Sequence, residues 1–230
     1  MRPEGLKVLY ADEGLLVLDK PAGLLSVPGR GEDKQDCLSA RAQARYPDAL
    51  VVHRLDMATS GLMLMARGAA QQRALSLAFA SRSVSKRYVA VVDGQLAPAP
   101  QSWGVIDLPI IVDWPTRPRR IIDHQHGKPS RTHWRVLSNS LSDATTRVEL
   151  EPVTGRSHQL RVHLLALGYA IVGDRLYGSP RVQTMAARML LHACSLDFQH
   201  PVSAQSMSFV SPVRFSAGPS AGLTSAVVPR

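Results

Sequence analysis

The segment from Val51 to Gly61 reads Val-Val-His-Arg-Leu-Asp-Met-Ala-Thr-Ser-Gly, and apolar residues follow it directly from Leu62 to Ala66. Apolar runs on both sides indicate buried ends, so the polar residues between them are held at the edge of a core. Asp56 lies among these residues, close to Arg54. A carboxylate in such a place forms a structural ion pair, starts a turn or takes part in chemistry. Spacing alone favours a structural role.

Composition points to a polyanionic partner. The chain has 230 residues, with 27 Lys and Arg against 18 Asp and Glu, which gives a net charge of +9. Such an excess favours binding to nucleic acid, because each neutralised phosphate releases condensed counterions. A generally basic soluble protein would have the same composition. No apolar run is long enough to span a bilayer, so we expect no membrane association.

The two cysteines indicate a reducing compartment. Cys37 and Cys194 lie far apart in apolar surroundings. We therefore expect free thiols, not a disulfide or a zinc site. The first residues lack the apolar core of a signal peptide, and we expect a cytoplasmic protein.

Three helices are predicted from periodicity and capping residues. One spans about residues 37–46 and a second about 68–82. The third begins with Ser157 as the N-cap, buries the stripe of Leu160, Leu164 and Leu167, and ends at Gly168. That spacing places Arg161 off the buried stripe.

Alternating and apolar runs predict strands through much of the remaining chain. The predicted strands lie at about residues 6–10, 15–20, 86–93, 132–136, 145–151 and 207–210, with another extended piece at about 24–29. From Ser216 onward the residues are mostly small, with no apolar period, so we expect a disordered tail over 216–230.

Three strings in the chain resemble the motifs of one enzyme family. The string His-Arg-Leu-Asp-x-x-Thr-Ser-Gly, from His53 to Gly61, resembles the signature of the RluA family of pseudouridine synthases. Asp19 to Gly29 resembles the family's first motif, and Gly155 to His163 its third. The common third motif has Thr in place of Ser157, a change that keeps the hydroxyl. The resemblance spans about residues 6–215.

The resemblance implies both a fold and a domain organisation. The implied fold is α+β, with a mixed, mostly antiparallel central sheet, flanking helices and an RNA-binding cleft. We expect one catalytic domain over residues 1–215, without the S4 domain that several relatives carry.

The resemblance also implies roles for individual residues. Asp56 would be the catalytic carboxylate, and Arg161 would pair with it. Tyr88, in the Lys-x-Tyr string, would stack on the target base in the active site. Arg54 would enter the space left by an extruded uridine and bind its phosphate.

A basic, proline-rich loop from Asp113 to Arg120 carries Trp114, Arg117 and Arg119. It is either a solvated surface loop or an RNA-facing segment, in which the arginines bind phosphate and the aromatic stacks on an unpaired base. The Asp-Trp-Pro-x-Arg-Pro string resembles the family members that modify both a 23S rRNA hairpin and tRNA anticodon arms.

The resulting prediction is a monomeric RNA pseudouridine synthase acting on stem-loops of 23S rRNA and tRNA. The isomerisation requires no cofactor or metal, and the sequence contains neither a Gly-rich phosphate-binding loop nor spaced metal ligands. One alternative is a family member acting on a single RNA class, and another is a non-catalytic RNA-binding protein. A glycosidase would need a second carboxylate. The string from Gly173 to Gly178 also resembles a family segment, and Asp174 within it is the one candidate, in a setting that suggests an ion pair held by a turn.

Overall fold

The computed structural model describes residues 5–215, so the predicted tail over 216–230 lies outside the described residues. In chain order, the strands within this part are β1 (Val8–Ala11), β2 (Leu15–Lys20), β3 (Ala49–Val51), β4 (Ser60–Arg67), β5 (Ser85–Asp93), β6 (Gly104–Asp107), β7 (Ile110–Val112), β8 (Arg120–Ile122), β9 (Arg131–Ser140), β10 (Thr145–Pro152), β11 (Leu191–Gln199) and β12 (Ser206–Val210). The α-helices are α1 (Leu38–Arg45), α2 (Ala69–Ala80), α3 (Gln159–Ala166) and α4 (Pro180–Thr184).

Ten of these strands form one sheet, in the order β1-β2-β4-β11-β5-β10-β9-β6, with β12 on β11 and β3 on β4. Strands β7 and β8 form a separate hairpin. Within the described residues, the pairing of β4 with β11 is parallel and the other strand pairs are antiparallel. The prediction of an α+β fold with a mixed, mostly antiparallel sheet is therefore confirmed.

Strand β11 joins the two halves of the sheet. It pairs with β4 at Ser60 and Gly61, and with β5 from Ser85 to Ala90 on its other edge. From Met65 to Arg67, the edge of β4 that faced β11 pairs with β3 instead, so the sheet divides there. The segment that connects β3 to β4 is the motif containing Asp56. The fold therefore places this motif where the two halves meet.

The two halves of the sheet are covered differently. In the first half, alternate residues of β2 and β4 are buried on opposite faces, because α2 covers one face and α1 the other. In the second half, one face packs on α3 through Val148, Leu150, Leu160 and Leu164. This pattern follows from β10, where buried residues alternate with partly exposed charged ones.

The predicted ends of α1 and α2 agree with the structure, but the start of α3 differs. Cys37 caps α1 by accepting a hydrogen bond at Sγ from the Ala40 N–H. The prediction that Ser157 caps α3 is wrong, since His158 occupies the N-cap and its side chain makes no capping bond. The prediction that Arg161 lies off the buried face is also wrong, because α3 is buried on all sides from Gln159 to Leu164.

The parallel pairing of β4 with β11 requires a glycine. Gly61 has a φ of +112°, and a Cβ atom added there would lie 2.2 Å from the Ala193 carbonyl oxygen. That oxygen belongs to the backbone and cannot move without displacing β11. Gly23 has a similar positive φ of +89°, but an added Cβ would contact nothing within 4 Å.

These two glycines give a matched test of the close approach. We expect G23A to lower the free energy of unfolding by about 1–2 kcal/mol, the cost of a left-handed backbone for an L residue. G61A should cost more than about 4 kcal/mol, because it adds a backbone clash to the same strain. Thermal and denaturant unfolding of both variants measure the difference. Equal losses would show that the contact with Ala193 relaxes freely.

Candidate active site

The motif from Val51 to Gly61 is fixed to β4 by its histidine. The Leu64 N–H donates to His53 Nε2 at 2.8 Å. Leu64 lies between the part of β4 that pairs with β11 and the part that pairs with β3. The His53 ring also stacks on Phe79, with ring centres 4.4 Å apart. Burial lowers the pKa of His53 to about 3, with a smaller contribution from the charge of Lys86. His53 is therefore a neutral hydrogen-bond acceptor that supports the motif.

Two side chains fix the motif from the other direction. The Ser26 hydroxyl donates to the Leu55 carbonyl oxygen and accepts from the Leu55 N–H. The buried ammonium of Lys20 donates to the carbonyl oxygens of Pro21, Leu24 and Met57, at 2.9, 2.7 and 3.1 Å. Burial lowers the pKa of Lys20 to about 8, against the opposing charge of Asp56. The residues on either side of Asp56 are thus held in place before any substrate binds.

Asp56 shares one arginine with a second carboxylate. Arg161 Nη1 donates to Asp56 Oδ2 at 3.3 Å. The Nε and Nη2 atoms of the same guanidinium donate to the two oxygens of Asp174, both at 2.7 Å. The side chain of Arg161 is 5% exposed and that of Asp174 is 1% exposed, whereas that of Asp56 is 27% exposed. Asp56 is therefore the accessible end of a buried ion-pair chain.

The three charged groups of this ion-pair chain, Asp56, Arg161 and Asp174, sum to a charge of −1. Burial alone would lower the pKa of Arg161, but the hydrogen bonds and charges of Asp174 and Asp56 raise it above its ordinary value. Asp174 also accepts hydrogen bonds from the N–H groups of Leu176 and Tyr177. One guanidinium therefore serves two carboxylates, and Asp174 receives the two shorter contacts. The turn predicted at Asp174 is present, and its partner is Arg161.

A histidine and a tyrosine complete the surroundings of Asp56. His158 Nε2 lies 4.0 Å from Asp56 Oδ2, and His158 Nδ1 lies 2.7 Å from the Tyr177 hydroxyl. The Tyr177 ring also lies against Arg161, with the guanidinium carbon 4.9 Å from the ring centre. Sequence reasoning assigned no role to either residue. Both lie inside matched strings, which was the available signal.

Asp56 opens into a cleft of about 500 Å³. Its lining includes the cationic side chains Arg54, Arg82, Lys86, Arg156 and Arg161. Among the described residues, Asp56 is the only carboxylate that lines the cleft. A polyanion therefore meets attractive charge along the walls and one negative group at the Asp56 end.

Tyr88 lines the same cleft from β5. Burial, and to a smaller extent the charges of Asp56 and Cys194, raises the pKa of Tyr88 above the ordinary value for a phenol. Tyr88 is therefore protonated near neutral pH. The structure brings this residue, Asp56 and Arg161 together in one cleft.

Several cations of the cleft, Arg54 and Lys86 among them, have no acidic partner among the described residues. Arg54 is exposed, and within residues 5–215 its guanidinium forms neither an ion pair nor a hydrogen bond. Lys86 likewise has no acidic partner in the described part of the chain, and its ammonium lies 5.8 Å from the centre of the Phe79 ring. Burial lowers the pKa of Lys86. Both groups are available to phosphate.

The predicted residues Arg117 and Arg119 lie outside the cleft wall, on the β7–β8 hairpin. The Arg117 guanidinium carbon lies 4.3 Å from the ring centre of Trp114, a residue that is 63% exposed. The Arg119 guanidinium carbon lies 5.5 Å from the ring centre of Tyr177, which itself contacts Arg161. The hairpin thus presents an exposed cationic and aromatic surface next to the site.

Two kinds of structural feature are absent from residues 5–215. No group of three or more His, Cys, Asp or Glu side chains there is arranged to bind a metal ion. No helix in that part of the chain combines the length and apolar character needed to cross a bilayer.

Comparison with known families gives a consistent match. Residues 14–166 match the family described as RNA pseudouridylate synthase. A relative from Escherichia coli O6:H1, named "Dual-specificity RNA pseudouridine synthase RluA", is 50% identical over 91% of this chain and 94% of its own. A relative of the same name from Haemophilus ducreyi is 45% identical over 89% of this chain and 91% of its own.

Solved structures agree with the sequence relatives. The structure of "Human RNA Pseudouridylate Synthase Domain Containing 1" has a TM-score of 0.74 and 30% identity, covering 91% of this chain and 84% of that protein. "Human RNA Pseudouridylate Synthase Domain Containing 4" has a TM-score of 0.70 and 26% identity, covering 90% and 88%.

The buried ion pair should contribute to stability far more than exposed pairs do. We expect D174N to lower the free energy of unfolding by about 3–5 kcal/mol, because it leaves the buried charge of Arg161 without its bidentate partner. Asp107, paired with Arg131 at the surface, provides the control. D107N should cost less than about 1 kcal/mol. Denaturant unfolding measures both, and a small loss in D174N would refute the central place given to this pair.

Proposed function

Because the chain belongs to the RNA pseudouridylate synthase family and is an isomerase acting on RNA, we propose that it converts specific uridines to pseudouridine in hairpin loops of both 23S rRNA and tRNA anticodon arms. The names of relatives at 45–50% identity support the dual specificity. The observation that carries the proposal is the contact of Asp56 with Arg161 at one end of a cationic cleft.

The reaction exchanges one bond of the base for another. The bond between ribose C1′ and uracil N1 breaks, the base turns, and C5 bonds to C1′. C5 then loses its proton and N1 gains one, so nothing is added to the RNA or removed from it. Asp56 supplies the anion required near the sugar, as a nucleophile towards carbon or as a base.

Arg161 gives Asp56 its direction. An arginine committed wholly to Asp56 would quench the carboxylate, but this arginine makes its two shorter contacts with Asp174. The remaining Nη1 group orients Asp56 at 3.3 Å. Asp56 is therefore oriented and still reactive. Its partial exposure lets the sugar approach.

Tyr88 and Arg54 bind the extruded nucleotide. Tyr88 stacks on the base, and its raised pKa makes it a neutral phenol during this contact. Arg54 takes the place vacated by the uridine and binds its phosphate. Extrusion costs a few kcal/mol, and least in a loop, which favours hairpin substrates.

Recognition outside the cleft falls to the β7–β8 hairpin. Arg117 and Arg119 bind phosphates of the stem-loop, and Trp114 stacks on an unpaired base. We further propose that residues 1–215 form a monomeric catalytic domain. RNA stem-loops are its partners, and it acts in the cytoplasm, where those RNAs are found.

The decisive experiment compares wild-type protein with D56N on total RNA from cells that lack this enzyme. Pseudouridines are mapped by carbodiimide modification and primer extension. The wild-type protein should produce new stops in tRNA anticodon loops and a 23S rRNA hairpin, and D56N should produce none. D56N should still bind RNA, because the cationic cleft is intact. D107N, a carboxylate change outside the cleft, should match the wild type.

Other outcomes of the same experiment separate the alternatives. Stops in one RNA class would keep the synthase and remove the dual specificity. Release of free uracil would indicate a glycosidase. Bound RNA without stops would indicate a non-catalytic RNA-binding protein, and an active D56N enzyme would remove Asp56 from the mechanism.

Arg54 gives a second prediction, about base extrusion. We expect R54A to lower turnover on a folded stem-loop by about 10-fold or more, the value of one charged hydrogen bond, while binding to unstructured RNA changes little. R45A provides the control, since Arg45 is exposed on α1 outside the cleft. Single-turnover assays and filter binding measure the two effects, and equal losses in both would contradict the role.

A further inference from the structure

The hydrogen bonds of Tyr177 determine which nitrogen of His158 carries the proton. The Arg120 backbone N–H, which can only donate, bonds to the Tyr177 oxygen at 2.8 Å. The Tyr177 hydroxyl also lies 2.7 Å from His158 Nδ1. If Nδ1 carried the hydrogen, the tyrosine hydrogen would have no acceptor among the described residues. The tyrosine therefore donates to Nδ1, and the His158 hydrogen is on Nε2.

This tautomer directs a hydrogen-bond donor towards the reacting carboxylate. His158 Nε2 has no hydrogen-bond partner within residues 5–215, and it lies 4.0 Å from Asp56 Oδ2. That distance is longer than a hydrogen bond by roughly 1 Å. A small rotation of the Asp56 side chain would close it. With the other tautomer, a lone pair would face the carboxylate and repel it.

The backbone of His158 is arranged for the same purpose. Its φ is +58° and its ψ is 14°, in the left-handed region, where asparagine, aspartate and histidine are enriched among residues other than glycine. An N-cap side chain usually accepts from the helix N–H groups, but His158 does not. Its imidazole instead lies in the wall of the cleft beside Asp56.

Asp56 lacks a second donor that would fix its plane. Arg161 gives Oδ2 one contact of 3.3 Å, and its other bonding nitrogens serve Asp174. Asp56 Oδ1 accepts no hydrogen bond from any described residue. A donor from His158 would hold Oδ2 from another direction and leave Oδ1 for the substrate. Burial lowers the pKa of His158, so this donor is neutral and does not quench the carboxylate.

We propose that His158 is a positioning residue, which donates from Nε2 to Asp56 Oδ2 and orients this carboxylate towards the flipped uridine, under the control of the Tyr177 hydroxyl. The inference rests on the proposed function, in which Asp56 is the reacting carboxylate. It adds a neutral hydrogen-bond donor that orients the Asp56 carboxylate without neutralising its charge.

Two amide variants test the proposal. Asparagine adopts the left-handed backbone readily, and its amide nitrogen reaches the position of Nδ1 but not that of Nε2. Glutamine has one more methylene group, so its amide nitrogen reaches the position of Nε2. The pair therefore separates the Nε2 donor from the backbone conformation. The assay is tritium release from 5-tritiated uridine in a transcript of the stem-loop modified by the wild type.

We expect H158N to lower kcat about 10- to 100-fold, the value of a hydrogen bond to a charged group, with KM within about 2-fold of the wild type. H158Q should recover most of the lost rate. A rate for H158N within about 2-fold of the wild type would overturn the proposal. So would equal losses in both variants with a matching rise in KM.

Tyr177 provides a test that does not change His158. Y177F retains the ring that lies against Arg161 but removes the hydroxyl that donates to His158 Nδ1, so the proton of His158 is no longer confined to Nε2. Y177F should therefore lower kcat several-fold on its own, and adding it to H158N should lower kcat no further. Additive losses would overturn the proposal. If H158N shows no cooperative unfolding transition, Y177F alone decides, and a wild-type rate in Y177F refutes the role. Wild-type protein that releases no tritium while binding RNA refutes the proposed function itself, before His158 is tested.

Discussion

The guanidinium of Arg161 is the interaction on which the rest of the site depends. It is buried, it lies on a short helix whose residues from Gln159 to Leu164 are all buried, and its charge is met by Asp174 from a separate turn. Asp174 is held in turn by two backbone N–H groups. Removing one partner of such a pair is costly, because it leaves a buried charge without compensation. That cost ties α3 to the turn at Asp174, while Nη1 of the same guanidinium contacts Asp56.

The surroundings of Asp56 divide into a rigid base and an open wall. His53, Ser26 and Lys20 bind backbone groups of the motif or of β4, so they fix where the motif runs. The cleft lining also carries cations with no acidic partner in the described structure, such as Arg54 and Lys86. The fixed backbone of the motif serves geometry, and the cations without acidic partners serve a polyanion.

The sequence predicted the first two helices and several strands from local periodicity, and its resemblance to the family implied the mostly antiparallel sheet and a site that contains Asp56, Tyr88 and Arg161. It misplaced the cap of α3 and the exposure of Arg161, since helical spacing describes one face and cannot reveal a helix covered on all sides. It gave no role to His158, because a hydrogen-bond chain through Tyr177 exists only after distant segments pack. The roles assigned to the site residues remain predictions.

Strand β11 has a consequence for the order in which the molecule can be assembled. It inserts between β4 and β5, and its His192 meets Ser60 across 132 residues of chain. Closing so large a loop is slow, because its entropy is lost before the contacts form. A nascent chain that has not yet released β11 therefore has its Asp56 half and its Tyr88 half unjoined by the sheet. The sheet can therefore join the two halves of the site only after residues 191–199 are available to fold.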